Sequence, residues 1–212
     1  MSDENGRGNE SQSTVRNVVL VVLDTARSKS VDTRLMPTLT GLAETGTAFE
    51  NAFATAPWTL PSHVSLFTGT YPSEHGTHGG HAALAADLRT VPEAFTDAGF
   101  ETVGVSNNTW ITAEFGFDRG FDDLRKGWQY VQSDADMGAV VRGENLREKL
   151  AAARNRVFDG NPLVNAANIL YSELLQPAGD DGADRTTDWI ADWLAERRDD
   201  RPFFVFCNFI EP

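Results

Sequence analysis

"RNVVLVVLDTAR", residues 16–27, is an apolar run that stops abruptly on an acid and a base. The stretch from Val18 to Leu23 has strand length and is mostly valine, the composition of a parallel strand covered on both faces. Asp24 ends it. Open α/β sheets bind ligands just outside the carboxyl ends of their strands, so an acid here is a natural metal ligand or phosphate-site carboxylate. A turn-forming or capping Asp is the alternative. Arg27 is placed to neutralise an anionic substrate, or is an ordinary surface arginine.

Working outward, "ETVGVSNN" (101–108) and "PFFVFCNFI" (202–210) read as further strands, and "TAFENAFA" (47–54) as a candidate strand. "MPTLTGLAETG" (36–46) reads as a helix with Pro37 in its first turn and Gly46 past its end. "TVPEAFTDAGF" (90–100) opens with a capping box, Thr90 with Glu93, and stops at Gly99. "RTTDWIADWLAERR" (185–198) is an amphipathic helix, and helical spacing recurs near 143–158 and 162–176. "QPAGDDGAD" (176–184) is a loop, and residues 116–140 look irregular. Strands alternating with helices predict an α/β domain with a mainly parallel sheet. Residues 1–15 read as a disordered lead-in. A sheet strand at the very end of the chain, with no helix to cover it, predicts that residues 16–212 are the N-terminal part of a longer domain.

Acidic residues outnumber basic ones 31 to 18 for a net charge of -13, and only three of the basic residues are lysine. That balance argues against binding nucleic acid or an anionic membrane through bulk charge. It fits solubility at high salt and a halophilic source. A single cysteine, Cys207, rules out an internal disulfide. The polar N-terminus is no signal peptide, and no apolar run is long enough to span a bilayer. A soluble, cytoplasmic protein is expected.

"APWTLPSHVSLFTG" (56–69) fixes Thr59 between Pro57 and Pro61 ahead of a short apolar helix. The prolines stiffen the turn, Pro61 suits the first helical turn and Gly69 its end. The Thr59 hydroxyl then lies near a helix N-terminus, where anions are favoured. A plain N-cap is the commoner job for such a threonine. Ser62 and His63 are helix neighbours pointing about 100° apart, so they do not pair as nucleophile and base. "HGTHGGH" (75–81) lacks a standard zinc spacing, and "SDADMG" (133–138) lacks the later acids of a calcium loop. No phosphate-cradling glycine motif is present.

Together, "NVVLVVLDTAR", "FENAFATAPWTLPSHVSLFTGTYPSEHG", "NTWITAEFGFDRGFDD" and the terminal "PFFVFCNFIEP" resemble the sulfatase family of the alkaline-phosphatase superfamily. The resemblance implies an α/β/α sandwich with a divalent metal (Ca, Mn, Mg or Zn) at the carboxyl edge of its sheet. It matches Asp24 to the first metal-ligand aspartate, Arg27 to the arginine of D-D-x-R, and Thr59 to the nucleophile, itself a metal ligand. The family's C/S-x-P-S-R signature stands here as T-L-P-S-H. Thr25 replaces the second aspartate, His63 replaces the signature arginine, and Asn107 falls where many sulfatases place the lysine of G-K-x-x-H.

Sulfatases oxidise their Cys or Ser to formylglycine, whereas threonine, with a methyl on Cβ, would give a ketone. Threonine nucleophiles are known in related phosphoglycerol transferases and nucleotide pyrophosphatases. The resemblance therefore implies a metal-dependent hydrolase or transferase acting on sulfate or phosphate esters of a small molecule, glycan or lipid head group. Thr59, Arg27, His63 and Asn107 would be its catalytic residues. The alternative is a sulfatase-like binding protein that kept the fold and lost the chemistry. The family's remaining metal ligands are expected downstream of residue 212.

Overall fold

The computed structural model describes residues 16–129, 131–133, 161–165, 167–168 and 182–210. The lead-in at 1–15, "SDADMG" beyond Ser133, the helix expected near 143–158 and most of that near 162–176 lie outside the described residues. Among the described residues four strands form one sheet in the order β1-β4-β2-β3: β1 Val18–Leu23, β2 Glu101–Ser106, β3 Asp123–Lys126 and β4 Phe203–Phe209. All three pairings are parallel. The register aligns the strand ends, Leu23 with Phe209 and Ser106 with Asn208. Asp24, Asn107, Asn108 and Asn208 consequently gather at one carboxyl edge.

Besides helical residues at 162–165 and 167–168, five helices accompany the sheet among the described residues: α1 Pro37–Thr45, α2 Thr59–Thr68, α3 Pro72–His75, α4 Val91–Asp97 and α5 Ala183–Glu196. Side-chain alternation sends Phe204 and Phe206 of β4 to one face, where they meet Leu60, Val64 and Phe67 of α2. Phe67 sits edge-on to Phe117 at 5.2 Å and to Phe206 at 5.0 Å. Each such buried ring contributes about 1.5–3 kcal/mol. Val205 and Cys207 point to the opposite face, against Trp189, Ile190 and Trp193 of α5. Helices thus flank both sides of the sheet, the layered α/β arrangement expected.

Local chemistry explains the boundaries. The α2 helix ends at Gly69, which takes the left-handed φ of 71°. The α4 capping box is formed, with Glu93 N–H donating to Thr90 Oγ1 at 3.2 Å and Thr90 N–H to Glu93 Oε2 at 2.8 Å. Other expectations needed correction. Residues 47–54 form no strand: Phe49 and Phe53 are 80% and 87% exposed, and no neighbouring strand offers them a hydrogen-bonded ladder. The irregular stretch hides β3, a four-residue strand at the sheet edge. Nor is β1 covered on both faces by the described residues, since Val19 and Val21 stay more than half exposed.

Candidate active site

Thr59 is the first residue of α2, preceded by Trp58 in extended geometry, and among the described residues no side chain caps that end. The Thr59 hydroxyl therefore does not perform the cap's task. It donates instead to Asp24 Oδ2 at 3.0 Å. The backbone N–H groups of Thr59 and Leu60, at the positive end of the helix dipole, meet no capping side chain among the described residues, and Pro61, in the third position, has no N–H to satisfy. Such an end suits an anion.

Asp24 leaves β1 with its N–H still bonded to Phe209 O at 2.7 Å, and a tight turn follows, closed by Ala26 N–H to Leu23 O at 3.2 Å. Thr25 sits inside that turn at φ 65°. A β-branched residue is strained in this left-handed region, whereas Gly, Asn or Asp tolerates it. Thr25 stands where the resemblance places an aspartate.

The structure brings Asn108 into the cluster. Its Nδ2 donates to Asp24 Oδ2 at 2.9 Å and to Thr59 Oγ1 at 3.3 Å. Its Oδ1 accepts the Trp110 N–H at 2.9 Å, which fixes the orientation of the amide. Asn107 is not brought there. It continues the alternation of Val103 and Val105 onto the α5 face, where its Oδ1 accepts from Thr186 Oγ1 at 2.9 Å. Nothing local in the sequence singles out Asn108, because parity beyond β2 sends Asn107 to the α5 face and returns the next side chain to the α2 face.

His63 lies one turn beyond Thr59 and is only 5% exposed. Its Nδ1 is 2.9 Å from Thr59 O, and its Nε2 is 3.2 Å from Asn208 Nδ2. Burial pushes its pKa below the usual imidazole value, partly offset by the Thr59 carbonyl and by Asp24. Burial thus disfavours a charge on this ring, at the position where the resemblance places an arginine. Arg27 is exposed and forms no ion pair among the described residues.

The other histidines are placed elsewhere. His75 Nδ1 accepts Thr77 N–H at 3.1 Å, so the proton is on Nε2, which lies 3.0 Å from Ser65 Oγ. His75 thus donates to Ser65 and has no lone pair left to act as its base. His78 and His81 pair through their backbones on an exposed loop. Among the described residues no three His, Cys, Asp or Glu side chains group closely enough to hold a metal. What is present is a set of hard oxygen donors, the Asp24 carboxylate and the Thr59 hydroxyl. Asp24 Oδ2 takes both hydrogen bonds and Oδ1 faces no protein donor among the described residues. That chemistry fits the first part of a hard divalent-cation site.

Comparison with known proteins bears on the family and the fold. The family model Sulfatase matches residues 16–212. An arylsulfatase of Clostridium perfringens is 24% identical over 208 residues, covering 92% of this chain and 43% of the relative. A ulvan-active sulfatase of Formosa agariphila is 34% identical over 67 residues, which is 32% of this chain and 14% of that protein. The crystal structure of a phosphonate monoester hydrolase of Agrobacterium radiobacter superposes with a TM-score of 0.58 at 18% identity, over 93% of this chain and 41% of the hydrolase. The chain belongs to the sulfatase family, and it spans about two fifths of the length of that arylsulfatase and that hydrolase.

Proposed function

We propose that this chain carries the nucleophile side of a metal-dependent ester hydrolase or transferase, with Thr59 attacking the sulfur or phosphorus of a sulfate, phosphate or phosphonate ester. The observation that carries the reading is the 3.0 Å contact from Thr59 Oγ1 to Asp24 Oδ2, made in place of an N-cap. Both names borne by the relatives, sulfatase and phosphonate monoester hydrolase, denote attack on a tetrahedral oxyanion ester.

Asp24 holds the hydroxyl proton while Asn108 Nδ2 fixes the oxygen from a second side. Passing that proton to Asp24 Oδ2 as attack begins leaves Oγ with lone pairs for the attacked centre and for a cation, besides the one that accepts from Asn108. The uncapped N–H groups of Thr59 and Leu60 supply fixed donors for the negative oxygens of the transferring group. Attack forms the Thr59 Oγ–S or Oγ–P bond as the bond to the leaving alcohol or phenol breaks. Water or a second alcohol then takes the group from Thr59 and regenerates the hydroxyl. A divalent cation held by Asp24 and Thr59 would supply the lowered hydroxyl pKa and the charge neutralisation on which such chemistry depends. The carbon skeleton of Thr59 rules out a formylglycine aldehyde, which favours a direct phosphate or phosphonate ester reaction over the hydrate chemistry of sulfatases. Small-molecule, glycan or lipid-head-group esters all present the required oxyanion.

The deciding experiment compares wild type with Thr59→Ala on the full-length protein, using 4-nitrophenyl sulfate, bis(4-nitrophenyl) phosphate and a 4-nitrophenyl phosphonate with added divalent metals. Turnover by wild type, lost by several orders of magnitude in the variant, supports the reading. Equal turnover in both sinks it. A wild type that binds oxyanions without turnover returns the protein to a binding role.

A further inference from the structure

We propose that Asn208 is a positioning residue for the nucleophile, acting through His63 to hold the first turn of α2 against the carboxyl end of β4. This rests on the reading of Thr59 as the nucleophile. A carbonyl oxygen can only accept, so the 2.9 Å approach of His63 Nδ1 to Thr59 O puts the ring hydrogen on Nδ1. Asn208 Nδ2, 3.2 Å from Nε2, is itself a donor, so Nε2 meets it with a lone pair. Two hydrogen bonds run in one direction, from Asn208 through His63 to the Thr59 carbonyl.

The anchor of this chain is rigid. Asn208 is fully buried, and its backbone is paired on both sides, with Val22 on β1 and Ser106 on β2. His63 is further held edge-on to Phe206, with ring centroids 6.4 Å apart. The next residue of β4, Phe209, accepts the N–H of Asp24 at 2.7 Å. Two successive residues of the strand thus tie down the two members of the nucleophile pair, Asn208 holding Thr59 and Phe209 holding Asp24. The 3.0 Å spacing between hydroxyl and carboxylate follows from that shared reference.

The arrangement carries a cost. Asn208 Oδ1 is buried with no hydrogen-bond partner among the described residues. Leaving an acceptor so is unfavourable, and the bond from Nδ2 to His63 Nε2 is what this orientation of the amide gains in exchange. The same geometry means His63 does not serve as a cation for substrate: a second ring N–H would point at the Asn208 NH2.

The test uses the full-length protein with its metal, and reads tautomer and kinetics separately. Long-range 1H–15N spectra of wild type are expected to show His63 as the Nδ1–H tautomer with a hydrogen-bonded Nε2. In Asn208→Ala that Nε2 resonance should shift, and kcat on the best 4-nitrophenyl ester should fall about 10- to 100-fold with KM little changed. Asn208→Leu, which fills the volume without a donor, should behave alike and guards against simple loss of packing. An Nε2–H tautomer in wild type overturns the inference without any substitution. So does turnover that is lost in Thr59→Ala yet intact in both Asn208 variants. Absence of turnover in wild type sinks the nucleophile reading itself, and this inference with it.

Discussion

Asp24 Oδ2 and Asn108 Nδ2 meet at 2.9 Å across 84 residues of sequence, one at the exit of β1 and the other just beyond β2. The two strands are not adjacent, since β4 lies between them. The contact therefore spans the end of the central strand and closes the cluster over it. Because Trp110 N–H occupies Asn108 Oδ1, the amide cannot turn round without losing a bond. Asn108→Ala removes a donor aimed at both Asp24 and Thr59 and takes away the acceptor of the Trp110 N–H. The expected loss in kcat/KM is about 10²–10³, the scale for deleting one preorganised donor, with about 1 kcal/mol of stability. Asn108→Asp should be worse, since it sets a second carboxylate against Asp24. Steady-state kinetics with urea unfolding would check both, and an unaltered kcat/KM in Asn108→Ala would remove the residue from the site.

Much of this edge is written in short-range signals. The valine run of β1, the aromatic run of β4 and the Pro61–Gly69 bracket of α2 each state their own element, because burial and backbone restriction act locally. Asp24 and Thr59 were readable for the same reason, as residues at the ends of those elements. Three features were not. The β3 sequence, DLRK, carries one apolar residue, so its pairing with β2 leaves no hydrophobic signature. Whether Asn107 or Asn108 faces the cluster depends on strand parity and on which face α2 covers, and both are tertiary facts. The partnership of His63 with Asn208 spans 145 residues and has no local trace.

Glycine geometry offers a sharp contrast between two sites. Gly120 has φ 81°, and a Cβ there would fall 2.1 Å from the Glu93 nitrogen, inside the α4 capping box. Its carbonyl also accepts from Thr96 and Thr102, which holds the backbone in place. Gly99 has a similar φ of 83° with open space around it. Gly99→Ala should cost about 1–2 kcal/mol, the left-handed penalty alone. Gly120→Ala should exceed that by at least about 2 kcal/mol, since a buried helix start must move. Chemical denaturation of the two variants side by side would decide it, and equal costs would contradict the steric argument.

Acid should unfold this protein in a window set partly by His75. Burial lowers its pKa below the ordinary value of about 6.5, with the Pro61 carbonyl and Glu74 pulling it partly back. The unfolded chain therefore binds a proton that the folded chain resists. That contribution to stability is complete above pH 6.5 and is lost as pH falls below 6.5 toward the folded pKa. His63 acts in the same sense. Urea midpoints measured from pH 7.5 to 5 should decline, and His75→Gln should make the decline shallower. A slope unchanged by the substitution would exclude His75 as a contributor.

Salt should stabilise the fold. Thirty-one acidic residues against 18 basic ones leave a charge of -13, whose self-repulsion opposes compaction. Screening also weakens favourable pairs, and Arg89–Asp97 at 2.6 Å, Arg125–Asp123 at 3.0 Å and Arg201–Asp199 at 2.7 Å are all substantially exposed. Exposed pairs are worth only about 0–1 kcal/mol each, so the repulsion dominates. The Debye length shrinks from about 10 Å at 0.1 M to about 3 Å at 1 M. The rise in Tm with potassium chloride should therefore be steepest below about 1 M, if charge screening is its cause. Salting-out of apolar surface would instead raise Tm steadily to the highest concentrations, more in sulfate than in chloride. Neutralising substitutions separate the two: replacing Asp188 and Asp192 on the exposed side of α5 with Asn should raise Tm at low salt and flatten the curve. A Tm that is flat or falling in chloride, or a double variant as salt-dependent as wild type, would leave self-repulsion without a role in stability.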